Sequence, residues 1–478
     1  MMGHYAKLIV NYGVILLLPL WGAGCAVKSM SIVMHMDQDH KSFFETVVLP
    51  DFEKKNDVDV TVIQYKETQK SLELINENEK DIGLLEIPFG VEGQYVESGK
   101  IINFEEFMCD SVIEGVNENY IFTSNGKIDG ALYFFPRKLE TRLMVYRKSK
   151  VEYVRNIWRR YRDTLDSELV AVNGHGLPSN YTFENDPEHW DYYDLFVLGW
   201  IWSRQEFSGR KAPRIAHSFY NSKGMSSRFV DYVFQFGTGQ NELENNRLEA
   251  LADLFHWEAL FTYYEIYDPS MLDGQVKNQD IYKAFQTEEV FLSFLSQSEV
   301  FELVRRKTGG SSKLFIKPVD LAFATMPFVC SVELDHYGIP ERKGGKSVKT
   351  GGWWWGVPIN SPDLNLSRSL IQHITSRTYQ LEEGARFGIL PLRRDILGSI
   401  PVIAGENWIS ELYFTTKKQL NYNSINQLKG GWDDTTNKIY KGLWQGVIGQ
   451  KHWSYSEGGI PDREYIRGIL ESITPVQD

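Results

Sequence analysis

The residues from 31 to 99 constrain the fold most, because their apolar pattern switches between the period of a strand and that of a helix. Three short apolar runs are typical of strands: residues 31–36, 58–64 and 81–87. Helices are predicted at residues 41–56, where Phe44, Val48 and Phe52 recur every four residues, and at 90–99. Pro50 should bend or divide the first helix. Strands alternating with helices at this spacing indicate a parallel sheet with helices on its faces.

The rest of the chain keeps this mixed character over a length that one hydrophobic core rarely serves. At 478 residues we expect two domains or lobes. Further elements are predicted as follows: extended structure at residues 129–148 and 314–328, an amphipathic helix through Leu248, Leu251 and Phe255, and a helix from about residue 361 through Leu366, Leu370 and Ile374.

The composition bears on the kind of partner. The formal net charge is -12, and an acidic surface repels phosphate backbones, so nucleic acid is not expected as a partner. The chain holds 13 Trp, 25 Tyr and 27 Phe. Such rings suit a binding cleft because they combine apolar faces with polar edges, although a large core also uses them.

The N-terminus has the pattern of an export signal. Residues 8–21 form an apolar stretch after Lys7 that is too short and interrupted to span a bilayer. The small residues 22–24 then precede Cys25, which resembles a bacterial lipoprotein processing site. Gly22 departs from that pattern, which has an aliphatic residue there. The alternative is a plain signal peptide with an incidental cysteine.

Beyond Cys25 the chain contains two cysteines, Cys109 and Cys330. Two thiols in an oxidising compartment can form a disulfide, and two free thiols fit the sequence equally well. Neither has a second cysteine or a histidine at the close spacing of a zinc site, so no metal site is predicted.

Four segments follow one another in the order VLPDFEKK with VDV (48–60), DIGLLE with YVESGKI (81–101), NGKIDGALY with LMVYRK (125–148), and MP, GG, VPINS and GARFGILPLRRD (326–395). Together they resemble the extracellular solute-binding proteins of carbohydrate-type ABC importers. Two segments depart from the family pattern. Residues 286–292 lack an expected Gly-Lys, and residues 184–240 match nothing in it.

The resemblance implies an α/β fold: a two-lobed, type II-like periplasmic-binding-protein clamshell with a ligand cleft between its lobes. The family's chain crosses between lobes at least twice. We therefore expect a signal peptide at 1–24, lobe one at 25–138 plus 325–385, and lobe two at 139–324 plus 386–478.

Candidate ligand-binding residues follow from this fold, because ligands of such sheets bind outside the carboxyl ends of strands. The candidates are Asp37, Gln38, Glu86, Phe89, Arg137, Glu140, Thr141, Trp353, Trp354 and Phe387. Carboxylates and arginines offer paired acceptors and donors to sugar hydroxyls without any proton transfer. Taken singly, each polar candidate also fits an ordinary solvated side chain.

The run Trp353-Trp354-Trp355 is the most unusual local feature. In a strand, Trp353 and Trp355 share a face and Trp354 lies on the other. One side is expected to pack in the core, and the other to supply the ring on which a sugar rests. Gly351 and Gly352 before the run let the backbone approach a ligand closely.

The sequence contains no Gly-x-Ser-x-Gly elbow and no His-Glu-x-x-His helix, so no catalytic residue, cofactor or metal is predicted. The expected function is that of a membrane-anchored lipoprotein of the cell envelope. It would bind a small ligand, a sugar or oligosaccharide, and deliver it to an ABC-type permease. Two alternatives stay open: the ligand-sensing subunit of a membrane receptor kinase, and a carbohydrate-active enzyme.

Overall fold

The computed structural model describes residues 28–65, 81–121, 123–205, 214–216, 235, 243–267, 278–305, 316, 318–348, 350–396, 399, 406–423 and 459–473. The predicted signal peptide and the predicted lipidation site Cys25 lie outside these residues. Within the described ranges, no helix has the length and apolar character needed to cross a membrane.

The strands, in chain order, are β1 (Lys28–His35), β2 (Val58–Tyr65), β3 (Ile82–Pro88), β4 (Lys127–Ile128), β5 (Ala131–Leu132), β6 (Phe135–Glu140), β7 (Arg142–Arg147), β8 (Arg214–Ala216), β9 (Val290–Ser296), β10 (Leu321–Ala324), β11 (Gly351–Gly356) and β12 (Leu390–Pro391). The helices are α1 (Gln38–Phe43), α2 (Leu49–Asn56), α3 (Glu92–Glu97), α4 (Asp110–Asn119), α5 (Lys148–Ile157), α6 (Arg162–Asn173), α7 (Tyr192–Ser203), α8 (Leu243–Tyr263), α9 (Asn278–Gln286), α10 (Gln297–Arg305), α11 (Leu364–Ile374), α12 (Arg377–Phe387), α13 (Asn407–Tyr422) and α14 (Arg463–Ile473).

The first sheet has the strand order β12-β6-β11-β3-β1-β2. β1 lies parallel to β2 and β3, as the strand–helix alternation predicts. β11 is antiparallel to both β3 and β6, and β12 is antiparallel to β6. Strands from the middle and the end of the chain therefore complete a sheet that its first residues begin.

The second sheet has the order β10-β7-β9-β8. Here β7 is antiparallel to β10 and β9, whereas β8 is parallel to β9. β6 of the first sheet passes directly into β7 of the second, with Thr141 alone between them. The segment 325–350 links β10 to β11 and returns the chain to the first sheet.

The first predicted helix is divided, as Pro50 requires, but the division comes just before that residue. A π-helical turn at Phe44–Val48 separates α1 from α2, and Pro50 lies in the first turn of α2. A proline there costs little, because the first N–H groups of a helix have no partner within it. The change of helix type thus falls on the turn before Pro50, whose missing N–H cannot bond to that turn.

The amphipathic helix predicted around Leu251 and Phe255 is present as α8, but the prediction of one apolar face is wrong. Residues 250–261 are buried on every side of the helix, because α7 and α14 both pack against it. The polar residues on this buried stretch have charged or hydrogen-bonding partners. Asp253, for example, is paired with Arg342 and Arg463.

Three stretches of the chain lie near the predicted lobe boundaries after residues 138, 324 and 385. β6 continues to Glu140, and β12, at Leu390–Pro391, pairs with it. The segment after β10 first bonds to helices of the second sheet: Tyr193 donates to the carbonyl of Val332, and Trp257 to that of Cys330. These buried donors hold the segment there until the chain reaches Gly351.

The two cysteines are free thiols: Cys109 is exposed and Cys330 is buried. Of the two alternatives that the sequence leaves open, the structure therefore has the unpaired one.

Candidate functional site

A cavity of about 740 Å³ lies where the two sheets approach each other. Its lining comes from four places in the fold: the end of β1 with α1, the end of β6, the start of α10, and the end of α12. The lining residues are His35, Met36, Asp37, Asp39, His40, Ser42, Phe43, Thr46, Val47, Lys138, Glu140, Ser298, Glu299, Phe301, Glu302, Arg386, Phe387 and Ile389. The carboxyl end of β1 is at this edge, as expected for ligand sites of such sheets.

Three of the predicted ligand-binding residues line this cavity: Asp37, Glu140 and Phe387. Asp37 is exposed and caps α1, because its Oδ1 accepts a hydrogen bond from the amide of His40 at 2.8 Å. The cavity thus brings together residues that are up to 350 positions apart in the sequence. These three carry the predicted chemistry of carboxylate acceptors beside an aromatic ring.

Phe387, at the end of α12, contributes an aromatic wall that is held from behind. Its ring stacks on His40, with the ring centroids 4.4 Å apart and the planes at 21°. His40 Nε2 in turn donates to Glu383 Oε1 at 2.6 Å. The ring that faces the cavity is therefore fixed through a neighbour that is itself hydrogen-bonded.

Glu86 and Arg137, two further predicted ligand residues, are buried and do not line the cavity. Glu86 Oε1 lies 2.8 Å from Lys138 Nζ and 3.6 Å from Arg137 Nε, and its Oε2 accepts from the amide of His35 at 2.8 Å. Arg137 donates two hydrogen bonds to Glu383, one of them at 2.7 Å. In this structure both residues form a charged network behind the cavity wall.

The charges in this network keep its carboxylates ionised. Burial alone would raise the pKa of Glu86, but the ammonium of Lys138 and the guanidinium of Arg137 hold that pKa below its ordinary value. Burial opposes ionisation of Glu383 too, yet Arg137 and the hydrogen bond from His40 hold its pKa far below the ordinary value. Two buried carboxylates, of Glu86 and Glu383, are thus balanced by two buried cations, of Arg137 and Lys138, next to the cavity.

Glu140 and Glu299 line the cavity, and their pKa values are raised rather than lowered. Burial raises the pKa of Glu140, and the negative charge of Glu299 adds to this effect while Lys138 opposes it. Burial also raises the pKa of Glu299, against the hydrogen bond that it accepts from the amide of Ser296 at 2.7 Å. Glu140 accepts a hydrogen bond from the hydroxyl of Ser298 at 2.9 Å. Hydrogen-bond donors on a ligand would stabilise the ionised form of these two carboxylates, which burial disfavours.

Gln38 and Thr141 do not line the cavity. Gln38 is exposed at the first position of α1. Thr141 is buried between the two sheets, where Asn423 Nδ2 donates to its hydroxyl oxygen at 2.8 Å. Thr141 thus belongs to the passage between the lobes rather than to the cavity wall.

The tryptophan run lies on β11, beside the cavity rather than in its lining. Trp354 is 1 % exposed; its ring stacks on Phe89 with centroids 4.4 Å apart, and its Nε1 donates to Glu92 Oε1 at 2.7 Å. Trp355 is buried in a different cluster, under the guanidinium of Arg137. Trp354 and Trp355 therefore lie on opposite faces of β11, as predicted. Both rings are packed against other side chains, so neither faces the cavity.

Trp353 is the member of the run that is only partly buried. Its ring stacks on His35, with centroids 5.2 Å apart and planes at 17°, and Lys138 Nζ lies 4.3 Å from its centroid. Both of these neighbours line the cavity. Trp353 is therefore one residue removed from the space that a ligand would occupy.

The cavity also contains residues that the sequence reasoning missed, above all Ser298 and Glu299 at the start of α10. The rule that ligands lie after strand ends applies to them, because α10 follows β9 directly. Their segment lies next to residues 286–292, which depart from the family pattern, so the resemblance carries no signal for these two residues. Lys138 and Arg386 were missed for a different reason, since they neighbour predicted residues without any signal of their own.

Within the described residues, no cluster of three or more histidine, cysteine, aspartate or glutamate side chains is arranged to hold a metal ion. The cavity lining is acidic and aromatic, with carboxylates, hydroxyls and three phenylalanine rings. This set suits hydrogen bonding to hydroxyl groups and contact with an apolar ligand face.

Three solved structures with the same fold have titles that name a saccharide. The GacH receptor of Streptomyces glaucescens, solved unliganded and with acarbose, matches with a TM-score of 0.64 at 12% identity, over 94% of this chain and 99% of that one. Maltose-bound MalE3 of T. maritima gives 0.63 at 13% identity, over 93% and 98%. A solute-binding protein of Thermotoga lettingae with alpha-D-tagatose gives 0.62 at 12% identity, over 93% and 98%. These likenesses confirm the two-lobed α/β fold.

Curated protein sequences contain no significant match to this chain. The family model described as "bacterial extracellular solute-binding protein" matches residues 48–406, which is most of the chain and includes every predicted site residue after Gln38. The chain therefore belongs to the bacterial extracellular solute-binding proteins, a family of binding proteins that act outside the cytoplasm.

Proposed function

We propose that this protein captures a sugar or oligosaccharide in the cavity between its lobes and delivers it to an ABC-type permease. The observation that carries the proposal is the composition of that cavity. Phe43, Phe301 and Phe387 offer apolar ring faces, and Glu140 and Glu299 offer hydrogen-bond acceptors, within a space of about 740 Å³. A sugar has the matching surfaces, an apolar ring face and a rim of hydroxyl donors.

The electrostatics of the cavity support a neutral, hydroxyl-rich ligand. Lys138 is already engaged by Glu86 at 2.8 Å and by the carbonyl of His35 at 3.1 Å, so it has little to offer an anionic ligand. Arg386 lies over the ring of Phe43 and contacts Glu382 at 3.2 Å. The carboxylates of the lining can accept hydrogen bonds from the hydroxyl groups of a neutral ligand without a change of charge.

The relatives point to the same class of ligand. The titles of the similar structures name acarbose, maltose and alpha-D-tagatose as what those proteins bind. Proteins of the same fold were thus solved with saccharides bound. Their identity to this chain is too low to transfer a particular sugar, so the proposal stops at the class.

We further propose that the protein is exported by residues 1–24 and anchored through lipid on Cys25, which follows the small residues 22–24.

The division of the chain into two lobes is also part of the proposal. The pairing of β12 with β6 supports carrying lobe one to residue 391, and the bonds of Val332 and Cys330 to α7 and α8 support assigning the segment after β10 to lobe two.

The test is a calorimetric screen of the protein with neutral mono- and oligosaccharides, with a linear peptide and a polyamine as other ligand classes. We expect at least one saccharide to bind and to raise the melting temperature, because a ligand of the native state stabilises it. Ser298→Trp should abolish binding by placing an indole ring in the cavity beside Glu140, whereas Ser111→Trp, on an exposed turn of α4, should not. Binding of the peptide or polyamine alone would overturn the sugar proposal.

Delivery needs a separate measurement. Cells that lack the protein should lose uptake of the saccharide that binds, and the wild-type gene should restore it. The Ser298→Trp variant should fail to restore uptake. Unchanged uptake without the protein would leave sugar binding intact but would contradict delivery to a permease.

A further inference from the structure

Two passages of the chain between the sheets, β6 to β7 and β10 to β11, run side by side where they meet the first sheet. Thr141 is the residue between β6 and β7, and Thr350 is the last residue before β11. The adjoining residues, Glu140 and Gly351, are paired in the first sheet. Any change in the angle between the lobes must therefore bend the backbone at or near both threonines.

A single side chain from the second lobe binds both threonines. Asn423 follows α13, a helix that packs on β7 and β10 of the second sheet. Its Nδ2 donates to Thr141 Oγ1 at 2.8 Å and to Thr350 Oγ1 at 2.9 Å. One amide group thus spans the two passages and uses both of its protons to do so.

The acceptor atom of the same amide is also fully used. Asn423 Oδ1 accepts from the amide of Val348 at 3.2 Å and from Gln419 Nε2 at 2.8 Å. Asn423 therefore makes all four hydrogen bonds that an amide side chain can make. Such a saturated group holds its neighbours in one relative position, because any displacement of one partner breaks a bond.

Gln419, one turn earlier on α13, holds the rest of the second passage. Its Oε1 accepts from the amide of Met326 at 2.8 Å, and its Nε2 donates to the carbonyl of Lys346 at 2.8 Å. From the other side, Gln297 Nε2 donates to the carbonyl of Leu139 at 2.6 Å. The passages are thus attached to α13 and α10, but Asn423 is the side chain here that joins one passage to the other.

We propose that Asn423 is a hinge tie, which couples the two passages so that they turn together and thereby limits the range of angles between the lobes. Without it, each passage can bend independently, and the lobes sample a wider set of orientations. The inference goes beyond the proposed function, because it concerns the unliganded protein and holds whatever the ligand is.

The test measures the distance between the lobes by pulsed electron resonance with two spin labels. Cys109, exposed on the first lobe, carries one label, and Val170→Cys, at an exposed position of α6, carries the other. Cys25→Ser removes the N-terminal thiol, and Cys330 is buried. In this background Asn423→Ala should broaden the distance distribution by about 1.5-fold or more, the consequence of losing two bonds that couple the passages.

The matched control is Asn421→Ala, an exposed asparagine on the same helix end, which should leave the distribution unchanged. Thr141→Val and Thr350→Val each remove one hydroxyl while keeping the shape of the side chain, and serve if Asn423→Ala does not fold. Either should broaden the distribution. Adding Thr350→Val to Asn423→Ala should have little further effect, because both changes release the same tie.

The result that overturns the proposal is a distribution of wild-type width in the folded Asn423→Ala and both threonine variants. A broadening that Asn421→Ala shares would also overturn it, since the effect would then belong to the helix end. Sugar binding does not enter either measurement, so failure here leaves the proposed function untouched.

Discussion

Arg137 donates two hydrogen bonds to the carboxylate of Glu383, and both side chains are about 2 % exposed. Through Glu383 this pair reaches His40, and through His40 it reaches the ring of Phe387 in the cavity. A fully buried ion pair thus supports the aromatic wall of the candidate ligand site. The first three predictions concern this wall and the carboxylates around it.

Glu383→Gln should destabilise the protein by about 3–5 kcal/mol, because the buried guanidinium of Arg137 loses the carboxylate that it bonds and keeps only Glu86, 3.6 Å away and shared with Lys138. The free energy of unfolding in urea at neutral pH measures this. Glu382→Gln is the matched control: its partner Arg386 is 52% exposed, and such surface pairs contribute about 0.5 kcal/mol or less. Equal stability of the two variants would show that the pair carries no special weight.

The stability of the protein should respond to pH in opposite ways through Glu383 and Glu140. The pKa of Glu383 is lowered in the folded protein, so its contribution is present above the ordinary carboxylate pKa and is lost as the pH falls below it. The pKa of Glu140 is raised, so the ionised form weakens the fold as the pH rises through that range. Glu140→Gln should therefore be more stable than wild type at pH 7, with the advantage shrinking towards pH 4. A constant advantage at both pH values would contradict this assignment.

Phe387→Ala should weaken binding of the saccharide found in the screen by about 2 kcal/mol, roughly a thirtyfold rise in Kd, as for an aromatic side chain central to an interface. Calorimetric titration measures the change. Phe414→Ala, on an exposed position of α13, removes a ring of the same size and should leave Kd unaltered. A Kd within twofold of wild type for Phe387→Ala would remove that ring from the site.

The three tryptophans of β11 should differ in their effect on stability. Truncating Trp354 or Trp355 to alanine should cost about 3–5 kcal/mol, because each leaves a large cavity in a packed cluster. Trp353→Ala should cost less, since its ring is partly exposed, and it should alter ligand affinity through His35 and Lys138. Thermal unfolding and titration of each variant measure both effects. Loss of affinity in a folded Trp354 variant, with Trp353→Ala unaffected, would reverse this assignment.

Cys25→Ser should release the protein from the membrane fraction, because lipid attachment needs the thiol. Labelled palmitate should enter the wild-type protein and not the variant. A single acyl chain gives marginal binding, so retention depends on the several chains of a mature lipoprotein. An unlabelled wild type that stays membrane-bound would contradict the anchoring proposal.

The sequence predicted the elements whose patterns are local. The strands β1, β2 and β3 and the helix division at Pro50 follow from apolar period and proline chemistry, which act within a few residues. The lining of the cavity could not be predicted from local patterns alone. Ser298 and Glu299 follow β9 of the second sheet, and only the packing of the two sheets brings them to the cavity. The sequence could not predict that Glu86 and Arg137 are buried. A glutamate or arginine that binds a ligand cannot be told from its sequence position alone from one that forms an internal ion pair. Only the position of Glu383, some 250 residues later, separates the two cases.

β11 lies between β3 and β6 in the first sheet but is synthesised long after both, which affects how β3 is protected during synthesis. β3 is buried along its whole length, yet one of its two neighbours arrives only with Gly351–Gly356. A growing or truncated chain that stops earlier leaves β3 as an apolar edge with unpaired backbone groups, which is a template for association with other chains. Fragments that end before residue 351 are therefore expected to aggregate, whereas the same first strands are protected in the complete chain.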